Sequence, residues 1–314
     1  MIFSSTVPSN VRKPILIIDY LSARFTYHDY QQWISIVDEG RILINGVICK
    51  ADDCVIADDI IGYDPGEWEE PAADLSYTII YEDEWIFAVN KPPHLLVHRA
   101  GKSFRNNLVY QLRSVHSPRY PNCHPVQRLD RETSGIVLFA KTSEQGAVFG
   151  KLFSDQKVSK IYKAVVADNF HYDIPYTVDV PISKDKESGI NYKFKADEVD
   201  ETAKSALTII ESAKVCAGGL TMLTVRPITG RTHQIRVHLA HLGFPIIDDR
   251  LYSQSAAEYL ADSNQRDISV DNCALPKRRQ LLHCESLSFH HPHTGRHCEI
   301  TAELPEDMKA VITK

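Results

Sequence analysis

The chain has little that would tie it to a membrane or to an oxidising compartment. Its 314 residues contain no run of about 18 apolar residues, so no membrane-spanning helix is expected. The N-terminus, Met1 to Pro8, lacks the basic and apolar regions of a signal peptide, which makes the cytoplasm the expected location. The seven cysteines (Cys49, Cys54, Cys123, Cys216, Cys273, Cys284 and Cys298) are scattered and include no Cys-x-x-Cys pair. A disulfide framework or zinc ribbon needs closer spacing, so these thiols are expected to be reduced and mostly in the core. Internal repeats and low-complexity tracts are also missing. The most informative absence is that of acids. From Trp85 to Leu129 there is no Asp or Glu, yet Lys91, Arg99, Lys102, Arg105, Arg113, Arg119 and Arg128 all fall there. Ordinary chains intersperse both signs of charge. The stretch ends on Asp130, as a polyanion-facing surface with one reactive carboxylate would.

What is present is an ordinary soluble composition, 43% hydrophobic, with a net charge of −6 that excludes an indiscriminately basic nucleic-acid binder. Local potential steers ligands more than the sum does, and the charge is unevenly placed. Residues 38–75 hold Asp38, Glu39, Asp52, Asp53, Asp58, Asp59, Asp64, Glu67, Glu69, Glu70 and Asp74 against only Arg41 and Lys50. A second acid-free stretch, Ser212 to Ile247, holds Lys214, Arg226, Arg231 and Arg236 with three histidines.

Periodicity divides the chain. Residues 1–24 show few signals beyond the apolar run Ile15 to Ile18. A short helical pattern is expected from Tyr27 (Tyr30, Trp33, Ile34, Val37), stopped by Gly40. Asn45-Gly46 between β-branched residues marks a hairpin, and Asp58 to Tyr63 a further turn and strand. A linker rich in Pro, Gly and acids, Asp64 to Asp74, then separates an N-terminal domain (residues 1–75) from the remainder (76–314). In the larger part, strands are expected at Tyr77–Tyr81, Trp85–Asn90, Ile136–Ala140, Ile161–Val166, Ala206–Ile210, Leu220–Val225 and Glu299–Leu304. Helices are expected at Ser143–Ser154 and Ile235–Leu242, and residues 253–275 read as a polar insertion. Strands outnumber helices and often follow one another, so the fold class is α+β with a large, mixed, mostly antiparallel sheet.

Three tempting motifs fail. Gly101-Lys102-Ser103 ends like a phosphate loop, but Leu96 stands where its first glycine must be. Asp130 to Gly135 contains no intact Asp-Thr-Gly and no second such site to share a proton. His290, His291, His293 and His297 beside Cys298 could bind metal, but Pro292, Thr294 and Gly295 mark a turn between strands. No metal or organic cofactor is expected.

A stronger constellation joins Gln127-Arg128-Leu129-Asp130-Arg131-Glu132-Thr133-Ser134-Gly135 to Gly230-Arg231-Thr232-His233-Gln234-Ile235-Arg236. In an extended segment Arg128 and Asp130 share one face and Leu129 takes the other. Thr133 to Gly135 suit a tight passage into the next strand. Apolar runs on either side would desolvate Asp130, and an arginine would be needed to keep it ionised. By itself this string also fits a structural Arg–Asp pair in a loop.

With its neighbours the string resembles the RluA family of RNA pseudouridine synthases, whose signature is His-Arg-Leu-Asp-x-x-Thr-Ser-Gly. Val89 to Pro93 with Leu96 to His98 is similar to the family's Asn-Lys-Pro segment, and Lys160 to Val166 to its Lys-x-Tyr strand. Thr229 to Pro245 is similar to its Thr-Gly-Arg-x-His-Gln-Ile-Arg motif and the turn that follows, and Leu281 to His283 and Phe289 to Pro292 to its last strands. The resemblance, spread over residues 77–304, implies the pseudouridine synthase fold and RNA as partner; no membrane partner is expected, and a monomer is the default. It implies Asp130 as the catalytic carboxylate, Arg128 filling the space left by a flipped uridine, and Tyr162 stacking on the uracil. Arg231 would pair with Asp130 and Ile235 would pack beneath the site. Lys91, Arg99, Lys102, Lys160 and Arg236 are candidates for holding phosphates.

Two departures stand out. Gln127 replaces the family's usual His, and Asp248-Asp249-Arg250-Leu251-Tyr252-Ser253 replaces Gly-Asp-x-x-Tyr-Gly. Residues 27–63 resemble the alpha-L RNA-binding domain, a small α/β module, with its first helix weak and a charge unfavourable to phosphate. By analogy with relatives carrying such a domain, ribosomal RNA is the favoured target and transfer RNA the second. The competing readings are a non-catalytic RNA-binding or ribosome assembly factor and an RNA glycosidase that releases uracil.

Overall fold

The computed structural model describes residues 2–25, 28–66, 70–101, 103–261, 275 and 278–312. Lys102, Cys273 and most of the polar insertion lie outside these residues. The chain forms two compact units, Met1–Glu70 with Ala100–Phe104, and Pro71–Arg99 with Arg105–Lys314. The division expected after Leu75 thus falls after Glu70. The acid-free stretch also sends a short excursion into the first unit, where Phe104 stacks on Phe3 with ring centroids 4.0 Å apart.

In the first unit, β1 (Phe3–Thr6), β2 (Ile15–Leu16), α1 (Ile17–Arg24), α2 (Tyr30–Asp38), β3 (Ile42–Ile44), β4 (Val47–Ile48), β5 (Cys54–Val55) and β6 (Ile60–Tyr63) follow in order. Asp29 and Gln32 make a reciprocal capping box on α2, which satisfies donors the helix start would leave unpaired. Asn45 and Gly46 both have positive φ, 51° and 84°, as a two-residue hairpin turn requires. Helix α1 gave no clear sequence signal because its N-cap, Leu16, makes no side-chain hydrogen bond. It is held by burial of Ile17, Ile18, Tyr20 and Leu21 around Trp33.

The second unit is built on a ten-stranded sheet. Its strands are β7 (Thr78–Glu82), β8 (Ile86–Lys91), β9 (His124–Pro125), β10 (Ser134–Ala140), β11 (Ser159–Ala167), β12 (Tyr176–Asp179), β15 (Leu207–Cys216), β16 (Leu220–Pro227), β17 (Leu282–His290) and β18 (His297–Thr301). The path runs β12-β15-β16-β11-β17-β10-β8-β7, with β18 on β17 and β9 on β10. A separate two-stranded ribbon pairs β13 (Ile182–Lys184) with β14 (Phe194–Ala196). The β10–β17 contact is parallel, while the flanking ladders are antiparallel. The sheet is therefore mixed and mostly antiparallel, in an α+β fold.

Every residue of β10 is buried, which explains its unbroken apolar run. Helix α3 (Leu108–Tyr110) precedes β9, α4 (Ser143–Ser154) follows β10, and α5 (Gln234–His241) follows β16. Phe149 of α4 packs in one core cluster with Phe139 and Phe289. Ile235 and Leu239 of α5 pack in another with Ala164, Leu223 and Val225. Tyr162 on β11 touches both clusters.

Candidate active site

The segment from Gln127 to Thr133 delivers Asp130 to the mouth of β10. Gln127 fixes the approach with its amide, donating to the Ile136 carbonyl at 3.0 Å and accepting from the Leu138 N–H at 2.9 Å. These are the contacts a neighbouring strand would make. Arg128 is exposed, Leu129 is buried in the core, and Asp130 comes back to the surface side. That alternation is the one expected of an extended segment. Arg128 donates to Nε2 of His98 at 3.4 Å.

The Thr-Ser-Gly that follows has a backbone reason. Gly135 has φ +108°, and a Cβ there would lie 2.2 Å from the Cys284 carbonyl oxygen. Only glycine allows β10 to meet β17 in parallel at Ser134–Gly135 and His283–Cys284. Ser134 Oγ pairs with His283 Nδ1 at 2.9 Å, and Gln280 Nε2 donates to Thr133 Oγ1 at 2.7 Å.

The charge partner of Asp130 is Arg236. Its Nη1 donates to Asp130 Oδ2 at 2.8 Å, while Nε and Nη2 fork onto Asp249 at 2.7 and 2.9 Å. His233 Nε2 stands 3.7 Å from the same Asp130 oxygen. Asp130 is densely surrounded, although 31% of its side chain still reaches solvent. Burial alone would raise its carboxyl. The charges of His233 and Arg236, with hydrogen bonds from Arg236 and Gln280, outweigh burial and hold it below the usual range. His233 is itself pushed down by burial against the pull of Asp130, so Arg236 is the cation at neutral pH.

Arg231, expected to pair with Asp130, does not. It is exposed, and its Nε donates to the Ser205 carbonyl at 2.9 Å. The motif offers two arginines, and only the helix phase separates them. Arg231 precedes α5, whereas Arg236 lies within it on the buried side. Arg236 is therefore a site residue rather than a phosphate-binding one.

Two more phosphate candidates are otherwise engaged. Lys91, 0% exposed, donates to the carbonyls of Pro92 (2.9 Å), Leu95 (2.9 Å) and Arg131 (3.2 Å), tying the end of β8 to the Asp130 loop. Burial pushes its amine down to about 7, with Asp130 pulling the other way. Lys160, half-buried, gives its Nζ to the Thr229 carbonyl at 3.0 Å. Arg99 is exposed and stays a candidate.

Tyr162 sits at a bulge in β11, level with Cys284 of β17. Burial first, then Cys284 and Asp130, push its hydroxyl well above the ordinary value, so it is a neutral phenol beside an ionised carboxylate. Ile235, from the first turn of α5, lies in the core cluster against which Tyr162 packs. His290 to His297 form the turn between β17 and β18, with His291 against Asp83 at 3.2 Å and His293 against Gln145 at 2.6 Å.

Comparison with known proteins shows the family. The family described as RNA pseudouridylate synthase matches residues 86–241. The ribosomal large subunit pseudouridine synthase D of Xylella fastidiosa is 30% identical over 311 residues, covering 97% of this chain and 89% of that protein. The chain belongs to the RluA family of RNA pseudouridine synthases. The synthase D of Vibrio cholerae is 31% identical over 300 residues, 90% of this chain and 85% of its own length. In fold, the synthase is similar to Human RNA Pseudouridylate Synthase Domain Containing 1. That match has a TM-score of 0.56 and 23% identity, covering 75% of this chain and 86% of that one. The protein is thus an isomerase with RNA as substrate. Sequence reasoning missed Asp249, His233 and Tyr252 as members of this synthase's site. Asp249 and Tyr252 are the two residues of Asp248 to Ser253 that keep the Asp and Tyr of the family's Gly-Asp-x-x-Tyr-Gly, and that match was the available signal.

Proposed function

We propose that this synthase converts uridine to pseudouridine in ribosomal RNA, with Asp130 as the reacting carboxylate. The observation that carries the mechanism is Asp130 kept ionised by Arg236 beside the neutral phenol of Tyr162. An enzyme that acts on a base inside folded RNA must take that base out of the stack and offer aromatic and apolar contacts in exchange. Tyr162 supplies the ring, Ile235 supports it, and exposed Arg128 enters the space the base leaves. The N1–C1′ bond breaks, the uracil turns, and a C5–C1′ bond forms. C5 loses its proton and N1 gains one, so nothing else is consumed. One carboxylate suffices whether it first attacks sugar or base.

The ribosomal target is supported by the names of the relatives from Xylella and Vibrio and by the small N-terminal unit, read as alpha-L-type. The reading extends to a monomer working in the cytoplasm; among the described residues no helix is long and apolar enough to cross a membrane. Transcriptome-wide pseudouridine mapping with and without the gene tests it. Loss of a ribosomal site is expected, whereas loss confined to transfer RNA would overturn the target. Release of free uracil from labelled RNA would overturn the isomerisation in favour of a glycosidase.

A further inference from the structure

Arg236 has three hydrogen-bonding groups on its guanidinium, and their allocation is uneven. Nε and Nη2 form a two-point fork on Asp249 at 2.7 and 2.9 Å, whereas Asp130 receives Nη1 alone, on Oδ2, at 2.8 Å. Asp249 is 1% exposed and Arg236 9%, so neither is free to exchange partners with water. The guanidinium is also covered on one face by the Tyr252 ring, 4.9 Å from its centroid. Asp249 and Tyr252 lie three residues apart, at the start of and within α6 (Arg250–Ser253), so one short segment supplies both grips. Tyr252 is fixed in turn. Its hydroxyl accepts from the Phe194 N–H at 3.2 Å and meets His233 Nδ1 at 2.9 Å.

We propose that Asp249 is a positioning residue that restricts Arg236 to a single contact on one oxygen of Asp130. This rests on the reading of Asp130 as the reacting carboxylate. An unoccupied guanidinium pairs with a carboxylate through two parallel bonds whenever it can, engaging both oxygens. Asp249 takes that fork. Asp130 keeps an ionic partner, and Oδ1 is left unclaimed by Arg236 for the substrate. Asp249 also offsets the arginine's charge, so Asp130 is held ionised without being locked. The other charged and titratable groups facing this cluster are His233, Tyr252, Tyr162 and Lys91, and none of these four is altered in the test.

The test measures single-turnover tritium release from RNA carrying [5-3H]uridine, over a range of pH, for the wild-type full chain and variants. Asp130→Asn first checks the underlying reading, and turnover in that variant would sink it independently of Asp249. For Asp249→Asn the expected result is a fall in turnover of at least tenfold with RNA affinity within twofold. The acidic limb of the rate profile should also move to lower pH as Arg236 turns its fork onto Asp130. In an Arg236→Lys background, where no fork exists, adding Asp249→Asn is expected to leave turnover within twofold. Unchanged turnover and an unmoved profile in Asp249→Asn would overturn the proposal. An equal loss in both backgrounds would overturn it too, since that is what a packing role predicts. Should Asp249→Asn fail to fold alone, the Arg236→Lys comparison decides in the same way.

Discussion

At the scale of single residues, the site pairs two groups whose ionisation is moved by the same burial. Asp130 is held below the ordinary carboxylate range by Arg236 despite its surroundings. For such an acid the stabilising ion pair is fully present above the unfolded value of about 3.9 and is lost as pH falls through the lower folded value. Turnover should therefore show no loss from Asp130 between neutrality and about pH 5. Asp130→Asn is expected to abolish pseudouridine formation while RNA affinity stays within about tenfold, or ~1.4 kcal/mol; full activity in that variant would refute the mechanism. Lys91 has the opposite sign. Its amine, pushed down to about 7 by burial, loses its proton in the folded protein well before it does in the unfolded chain, which holds it to about 10.4. Between those values the unfolded state binds more protons, so stability rises with pH. Lys91→Met strips the donors from three carbonyls and should cost roughly 3 kcal/mol near neutral pH. The gap to wild type should widen as pH climbs from 7 towards 10. Urea melts across that range would show it, and a gap independent of pH would contradict the buried, perturbed amine.

At the scale of elements, the decisive event is the meeting of β10 with β17. The glycine that ends the Thr-Ser-Gly string is there because a Cβ would strike the Cys284 backbone. Gly135→Ala combines that overlap with an unfavourable φ, and roughly 3 kcal/mol or more of destabilisation is expected. A thermal midpoint within 2 °C of wild type, about 1 kcal/mol or less for a chain of this size, would show that the strands can part cheaply. This contact also marks how far the sequence could be read. The apolar run of β10, the α4 pattern and the Asn45-Gly46 hairpin depend on neighbouring residues and could be read directly. Helix α1 could not, since tertiary burial of Ile17, Ile18, Tyr20 and Leu21 holds it without a side-chain cap. Asp130 was legible from its string and its isolation among cations. Its partner was not, because Arg231 and Arg236 differ only in where α5 begins. Lys91 and Lys160 looked like phosphate ligands for a similar reason. A cation's sign is visible in a sequence, but the carbonyls that take up its donors are brought together only by the fold.

At the scale of the whole molecule, the charge pattern that first singled out Asp130 divides into two kinds of cation. Arg236, Lys91 and Lys160 serve the protein's own carboxylates and carbonyls, so the basic surface left for RNA is smaller than the acid-free stretches suggest. Among the described residues, Arg99, Arg105, Arg119, Arg128, Lys214 and Arg231 are the exposed cations of those stretches. The N-terminal unit carries an excess of acids, and its net charge opposes a phosphate backbone. Each phosphate neutralised by a cation contributes about −0.7 to −0.9 to the slope of log affinity against log salt. RNA binding by the full chain should therefore weaken as salt rises, with a slope that counts the phosphates its exposed cations neutralise. Arg99→Ala is expected to make that slope shallower by about one such contact and to weaken binding similarly across RNA sequences. Asp52→Asn, which removes an exposed acid from the N-terminal unit, should leave the slope unchanged if that unit stands away from the phosphates. Titrations of labelled ribosomal RNA fragments at several salt concentrations measure both. An unaltered slope in Arg99→Ala would remove it from the RNA surface. A stronger affinity and steeper slope in Asp52→Asn would place the acidic unit against the RNA after all.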